Sequence, residues 1–200
     1  MFSRNKKNIY FVHIPKNAGN SIRQACMAQN IKVVSHNIRK RNKRLLAAHR
    51  RNNDLHAFCI SRNPYDRIVS AYNYLLNDGK NKTKEDNIER DIFLKPYADF
   101  TDFIKNGLAH AAKNQLHFLP QVFWIKNHNG EPEVETVLKM ENLQDELNAF
   151  CHQMGLPPQK LAITNTSPRN NSWEEYYTPE TQKIVADVYH DDFDFFDYEK

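Results

Sequence analysis

A short loop near the N-terminus carries residue types that bind phosphate. It reads Pro15-Lys16-Asn17-Ala18-Gly19-Asn20-Ser21 and lies between an apolar run and a stretch of helical composition. Backbone N–H groups at the start of a helix bind phosphate, and a neighbouring lysine adds a mobile positive charge. The lysine precedes the glycine, so this is not the Gly-x-x-x-x-Gly-Lys-Ser/Thr loop of nucleoside triphosphatases. By itself the loop predicts an anion site without identifying the anion.

A second loop offers a guanidinium and a hydroxyl. Arg62 follows the apolar run at residues 56–61, and Ser70 lies about two turns into the helix predicted after it. An arginine pairs its planar fork with phosphate oxygens, and a serine hydroxyl donates beside it. Both residues also have a structural interpretation: Arg62 in an ion pair with Asp66, and Ser70 on the helix surface. The pair alone does not decide between the two interpretations.

Both loops follow segments with the composition of strands buried on both faces of a parallel sheet. Residues 8–14 (NIYFVHI) and 56–61 (HAFCIS) are continuous apolar, β-branched and aromatic runs. A helical pattern follows each loop, and in the second helix Asn63 can cap the N-terminus while Pro64 suits the first turn. Strands that alternate with helices predict an α/β fold with a central parallel sheet flanked by helices. Ligands of such sheets bind at the carboxyl ends of the strands, where both loops are expected.

The rest of the chain is assigned from apolar periodicity and turn residues. We expect helices at 38–51, in part of 93–108, from Asn142 to Gly155 and from Thr178 onward, strands at 121–126 and 134–139, and a surface loop at 77–90. No internal repeat or boundary interrupts this pattern. Residues 1–200 are therefore predicted to form a single domain.

Composition argues against several classes of protein. The chain has 200 residues and three widely spaced cysteines, Cys26, Cys59 and Cys151. These form neither a disulfide framework nor a zinc site, and the histidines lack metal-binding spacing, so no metal is expected. The apolar run at residues 9–14 is shorter than a signal-peptide core or a membrane span. A cytoplasmic protein without a membrane span is the expectation.

The positive charge is concentrated in one segment. Residues 32–51 contain eight lysines and arginines and no acidic residue, within a chain of formal net charge +4. Such a segment attracts anions, whether a nucleotide, an anionic glycan or a nucleic acid, or it is a solvated helix face.

Taken together, the two loops resemble the nucleotide-binding motifs of a known enzyme family. Residues 11–21 (FVHIPKNAGNS) resemble the 5′-phosphosulfate loop of carbohydrate sulfotransferases, typically HIPKTAGTS, and residues 62–72 (RNPYDRIVSAY) resemble their 3′-phosphate motif, RNPYDRLVSAY. Residues 117–121, 139–143 and 189–198 are also similar to that family, which includes heparan sulfate 2-O-sulfotransferase and small bacterial relatives. The resemblance covers most of the chain and implies the P-loop-NTPase-like sulfotransferase fold.

The resemblance implies a donor substrate and a role for each loop residue. The donor would be 3′-phosphoadenosine 5′-phosphosulfate (PAPS), and Lys16 would contact the oxygen that bridges its 5′-phosphate and sulfuryl group, where negative charge grows during transfer. The 5′-phosphate would be held by Asn17, Ala18, Gly19, Asn20 and Ser21. The 3′-phosphate would be held by Arg62 and Ser70. The sequence departs from the family at Asn17 and Asn20, where threonine is usual, although asparagine keeps its hydrogen-bonding capacity. His13 would pack at the strand end.

Transfer also needs a base that takes the proton of the acceptor hydroxyl. A histidine suits this role near neutral pH. By analogy with bacterial relatives His36 is favoured, and His49 and His117 are the competing candidates. Glu141 is a weaker candidate that fits better at the start of its helix.

The expected acceptor is a hydroxyl of a carbohydrate, and the basic segment favours an anionic one. The alternatives are a nucleotide kinase-like phosphoryl transferase, a non-catalytic nucleotide-binding protein and a nucleic-acid-binding protein. The kinase interpretation lacks a lysine after the glycine and carboxylates for Mg²⁺ at the strand ends. The basic segment lacks the interleaved aromatic residues of nucleic-acid readers, so no nucleic-acid partner is expected. The sequence specifies no oligomeric state.

Overall fold

The computed structural model describes residues 8–28, 31–34, 55–76, 83–161 and 172–200. Contacts between residues divide the chain into two compact units. The first unit contains Met1–Ser61 and Val122–Thr164, and the second contains Arg62–Gln121 and Asn165–Lys200. The single domain expected over residues 1–200 stays a prediction.

Among its described residues, the first unit contains a four-stranded parallel sheet. Its strands are β1 (Asn8–Val12), β2 (Lys32–Val34), β3 (Leu55–Ser61) and β4 (Thr136–Lys139), in the order β2-β1-β3-β4. The strands predicted at 8–14, 56–61 and 134–139 are thus confirmed, and β1 ends at Val12, two residues before the predicted limit. Because the strands are parallel, their carboxyl ends lie at one edge of the sheet.

In the part of the chain that the structure describes, two helices cover one face of this sheet. They are α1 (Gly19–Ala28) and, later in the chain, α7 (Leu143–Met154). The shared core consists largely of Phe11, Ile22, Cys26, Phe58, Ile60, Leu138, Leu147 and Phe150. The rings of Phe58 and Phe150 lie 4.5 Å apart, so the central strand and α7 are joined by aromatic packing. Burying each of these large side chains stabilises the unit by about 1.5–3 kcal/mol.

The C-terminal end of α7 was predicted correctly and its start in part. Gly155 has a φ of 69° at the helix end, a left-handed conformation that glycine adopts without strain. Asn142 occupies the predicted N-cap position, but its side chain makes no capping hydrogen bond. A 3₁₀ turn, Met140–Asn142, leads into the helix instead.

The second unit is built from helices around an aromatic core. These are α2 (Pro64–Leu76), α3 (Lys84–Phe93), α4 (Phe100–Asn106), α5 (Leu108–Asn114), α8 (Pro179–Val188) and α9 (His190–Phe196), with a 3₁₀ turn at Trp173–Tyr176. Tyr65 lies at the centre of this core, with its ring stacked on Trp173 at 5.2 Å and packed against Phe193 at 5.0 Å. The predicted helix from Thr178 is confirmed, and a capping box between Thr178 and Thr181 starts it.

Two sequence-based assignments are wrong. The loop predicted at 77–90 includes the first turns of α3, which begins where Thr83 and Asp86 form a reciprocal capping box. The strand predicted at 121–126 is instead a short helix in the first unit, α6 (Val122–Ile125). The helix predicted at 38–51 lies outside the described residues. Within the described part of the chain, no helix combines the length and apolar character needed to cross a bilayer.

Candidate functional site

The loop between β1 and α1 has a backbone suited to an anion. Lys16 and Ala18 have positive φ angles of 71° and 53°, whereas Asn17 between them does not. Alternating handedness turns successive N–H groups toward one point, the geometry of an anion-binding nest. The first turn of α1, whose N–H groups have no acceptor within the helix, follows directly. The loop and the helix start therefore combine a nest-like backbone with the N–H groups of a helix N-terminus, and the Asn17 N–H within the loop is bonded to the carbonyl of Ile14.

Asn17 anchors this loop to the neighbouring strand. Its Nδ2 donates a hydrogen bond of 2.7 Å to the carbonyl oxygen of Ile60, and the residue is only 1% exposed. Its backbone N–H donates to the carbonyl of Ile14 at 3.3 Å. The asparagine found where the resembling family has threonine thus has a structural role in this chain.

Gly19 packs directly against the imidazole of His13. A Cβ on Gly19 would lie 1.8 Å from Nε2 of His13, a distance that no real contact allows. The imidazole also packs 5.9 Å from the ring of Phe11. His13 therefore holds the start of α1 against the end of β1, which is the packing role expected of it.

The remaining loop residues differ in exposure. Lys16 and Ser21 are half-buried, and Asn20 is exposed. All three lie next to Asn17, Ala18 and Gly19 in the chain.

The sheet order places this loop at a topological switch point. From β1 the chain passes to β2 on one side, whereas β3 pairs with the opposite side of β1. Ligands of open α/β sheets bind beyond the carboxyl ends of the strands at such a point. The nest follows β1, and β3 ends at Ser61, to which Arg62 is joined in the chain.

Arg62 belongs to the second unit and forms the expected ion pair with Asp66. Its Nε lies 2.7 Å from Oδ2 of Asp66, and the residue is 9% exposed. A guanidinium has five N–H donors and this bond uses one, so the ion pair is compatible with a phosphate-binding role. Ser70 is 4% exposed within α2, so the interpretation of Ser70 as a helix-surface residue is wrong.

Sequence reasoning missed the residue that holds the backbone of Arg62. Oε1 of Gln121 accepts from the N–H of Arg62 at 3.0 Å, and its Nε2 donates to the carbonyl of Arg62 at 2.9 Å. The N–H of Gln121 in turn donates to Oδ2 of Asp192 at 2.8 Å. The signal in the sequence was the family-like character of residues 117–121 and 189–198, although nothing local to either segment shows that Gln121 bonds to Asp192.

The histidines proposed as bases fall into two groups. His36 and His49 lie outside the described residues. His117 lies in the second unit, where its Nδ1 is 3.0 Å from Nε2 of Gln115 and its ring is 5.1 Å from that of Tyr74. His117 is therefore packed and hydrogen-bonded within its own unit.

His117 also belongs to a group of metal-ligating residue types. One ligand atom from each of Asp86, Glu89 and His117 lies within 4.8 Å of the others. Hydrogen bonds account for this arrangement without an ion, since Tyr74 donates to Asp86 at 2.9 Å and Gln115 donates to Glu89 at 2.7 Å. Burial raises the pKa of the Glu89 carboxyl.

The three cysteines are free and buried, so they form no disulfide. Burial raises the pKa of Cys26 to about 12, and burial also raises the pKa values of Cys59 and Cys151. The thiols stay protonated at neutral pH and are poor nucleophiles.

Comparison with protein families gives a match over nearly the whole chain. A family model described as "Sulfotransferase family" matches residues 1–199 of the chain, which include both loops. Comparison with curated proteins and with solved structures gives no match.

Proposed function

Because the chain belongs to the sulfotransferase family, we propose that it transfers a sulfuryl group from PAPS to a hydroxyl of a carbohydrate. The observation that carries this proposal is the nest formed by Lys16 and Ala18 at the end of β1, beside the strand that leads into Arg62. The loop after β1 is proposed to bind the 5′-phosphate of the donor, and Arg62 and Ser70 are proposed to bind its 3′-phosphate.

The nest would bind the 5′-phosphate. Its donors are backbone N–H groups of the loop and of the first turn of α1, supported by the exposed amide of Asn20 and the hydroxyl of Ser21. The buried bond from Asn17 to Ile60 would keep the nest in shape before the donor substrate binds. Such preorganisation lowers the cost of ordering the loop on binding.

Lys16 would act on the leaving group. The acceptor oxygen attacks sulfur, the bond between sulfur and the bridging oxygen breaks, and 3′,5′-ADP leaves with the additional negative charge. The ammonium of Lys16 would stabilise that charge as it develops, which lowers the barrier to transfer. His36 would take the proton of the attacking hydroxyl as general base.

Arg62 and Ser70 would bind the 3′-phosphate. Their burial keeps water from competing for the phosphate oxygens, and the bond to Asp66 restricts rotation of the guanidinium. This contact would distinguish PAPS from ATP, which has no 3′-phosphate. The basic segment 32–51 would favour an anionic glycan as the acceptor.

Calorimetry with 3′,5′-ADP, 5′-AMP and ATP tests the donor assignment. We expect 3′,5′-ADP to bind about 10- to 100-fold more tightly than 5′-AMP, the range that hydrogen bonds to a charged group provide. Tight ATP binding without a preference for a 3′-phosphate would support a kinase instead. Transfer of labelled sulfate from PAPS to a panel of glycans, lipids and small phenols then tests the acceptor class, and label on phenols alone would exclude a carbohydrate acceptor.

A further inference from the structure

The hydrogen bonds of Gln121 hold the backbone of Arg62, the residue proposed to bind the 3′-phosphate. We propose that Gln121 is a positioning residue for the 3′-phosphate, acting through the backbone of Arg62. The inference rests on the proposed function, in which Arg62 binds that phosphate.

One side chain satisfies both backbone polar groups of Arg62. Oε1 of Gln121 accepts from its N–H at 3.0 Å, and Nε2 of Gln121 donates to its carbonyl at 2.9 Å. Gln121 is completely buried, so water cannot replace either bond. Rotation of the Arg62 backbone would leave buried polar groups without partners, which is unfavourable. The position of the Arg62 backbone, from which the side chain extends, is therefore restricted.

Gln121 is itself held by the C-terminal part of the chain. Its N–H donates to Oδ2 of Asp192 at 2.8 Å, and Asp192, in α9, is completely buried. Just before Gln121 in the chain, the carbonyl of Leu119 accepts from Nη2 of Arg67 at 2.9 Å. The carbonyl of Phe118 accepts from the hydroxyl of Tyr189 at 2.6 Å. The segment from Phe118 to Gln121 is thus held through backbone groups of Phe118, Leu119 and Gln121.

These bonds act together with the ion pair on the side chain of Arg62. Gln121 restricts the backbone, and Asp66 binds Nε at 2.7 Å. An arginine constrained at both ends loses less freedom when it pairs with a phosphate. Loss of Gln121 would leave the charge of Arg62 unchanged but allow its guanidinium more orientations. The expected defect is specific to the 3′-phosphate.

The experiment compares the affinities for 3′,5′-ADP and 5′-AMP, measured by calorimetry on the full chain. In Gln121→Met, which is close in size and lacks both hydrogen-bonding atoms, we expect the preference for 3′,5′-ADP to fall about tenfold while 5′-AMP binding is unchanged. Thr181→Val is the matched control. Thr181 is also completely buried in the second unit, and its hydroxyl accepts from the N–H of Thr178 and donates to the carbonyl of Thr178. The control should lose comparable stability and keep the wild-type preference.

The double variant Arg62→Ala/Gln121→Met separates a positioning role from general destabilisation. If Gln121 acts through Arg62, the second substitution leaves the preference of Arg62→Ala unchanged. A wild-type preference in Gln121→Met, or an equal loss in Thr181→Val, overturns the inference. A wild-type protein without any preference overturns the donor assignment instead.

A second variant applies if melting curves show that Gln121→Met is unfolded. Gln121→Glu keeps an acceptor for the Arg62 N–H and loses the donor to the Arg62 carbonyl. An undiminished preference in that variant also overturns the inference.

Discussion

Nδ2 of Asn17 lies 2.7 Å from the carbonyl oxygen of Ile60, which joins the loop after β1 to the strand beside it. Since Ile60 is the penultimate residue of β3, this bond links the proposed 5′-phosphate loop to the strand that leads into Arg62. The position that departs from the family pattern is thus a point of contact between the loop and its sheet.

Asn17→Leu should destabilise the protein by about 1–3 kcal/mol. The substitution keeps the size of the side chain but leaves the carbonyl of Ile60 without its buried donor. Chemical denaturation measures the change, and Asn20→Leu is the control at an exposed position, with an expected change within about 0.5 kcal/mol. Equal stabilities of the two variants would show that the bond to Ile60 contributes nothing.

Gly19→Ala should destabilise the protein by about 1–3 kcal/mol, because the new methyl group overlaps the imidazole of His13. Replacing that imidazole should relieve the overlap. We therefore expect Gly19→Ala to cost less in a His13→Ala background than in the wild type, as measured by a double-mutant cycle in urea. Additive effects would mean that the overlap is not the cause.

Lys16→Met and Arg62→Ala should separate catalysis from donor binding. Lys16→Met is expected to lower kcat by about 10²–10³ and to change the donor Kd little, since its charge is needed mainly in the transition state. Arg62→Ala is expected to raise the donor Kd by about 10- to 100-fold. Turnover assays and calorimetry measure the two effects. Lys105→Met, which removes a surface ion pair with Glu180, is the control. Similar, mild effects of both site variants would contradict the two roles.

Replacement of the base should remove the acidic limb of the pH–rate profile. A neutral imidazole is the active form, so kcat/KM should rise with pH through the pKa of the base and then level off. We expect His36→Ala to lower turnover and abolish this rise. His117→Ala should chiefly reduce stability, because His117 packs against Tyr74 and contacts Gln115. Full turnover in His36→Ala would exclude His36 and leave His49 and His117.

The stability of Glu89→Gln relative to that of the wild type should increase as pH rises. The pKa of Glu89 is raised in the folded protein, chiefly by burial, so the wild type loses stability as the pH rises through the ordinary glutamate pKa toward the raised one. The variant does not titrate, and its amide oxygen still accepts from Gln115. Its advantage in urea denaturation should therefore be larger at neutral pH than in acid. An advantage independent of pH would contradict the raised pKa.

Local patterns were sufficient for most elements of the fold. The apolar runs that became β1 and β3, the cap at Thr178 and the stop at Gly155 depend on neighbouring residues, so they were predictable from composition and spacing. Residues 121–126 were misassigned because an apolar run of this length fits a strand or a helix equally well. The bond from Gln121 to Asp192, which lies 71 positions away in the chain, has no local signal.

Chain order and residue type likewise singled out the two loops proposed to bind phosphate and the family to which the chain belongs. The left-handed backbone at Lys16 and Ala18, the burial of Ser70 and the hydrogen bonds that hold Arg62 emerged only from tertiary structure. The physical reason is that an anion site depends on where N–H groups point and on what excludes water from charged side chains. Both properties are set by contacts between residues that are distant in the chain.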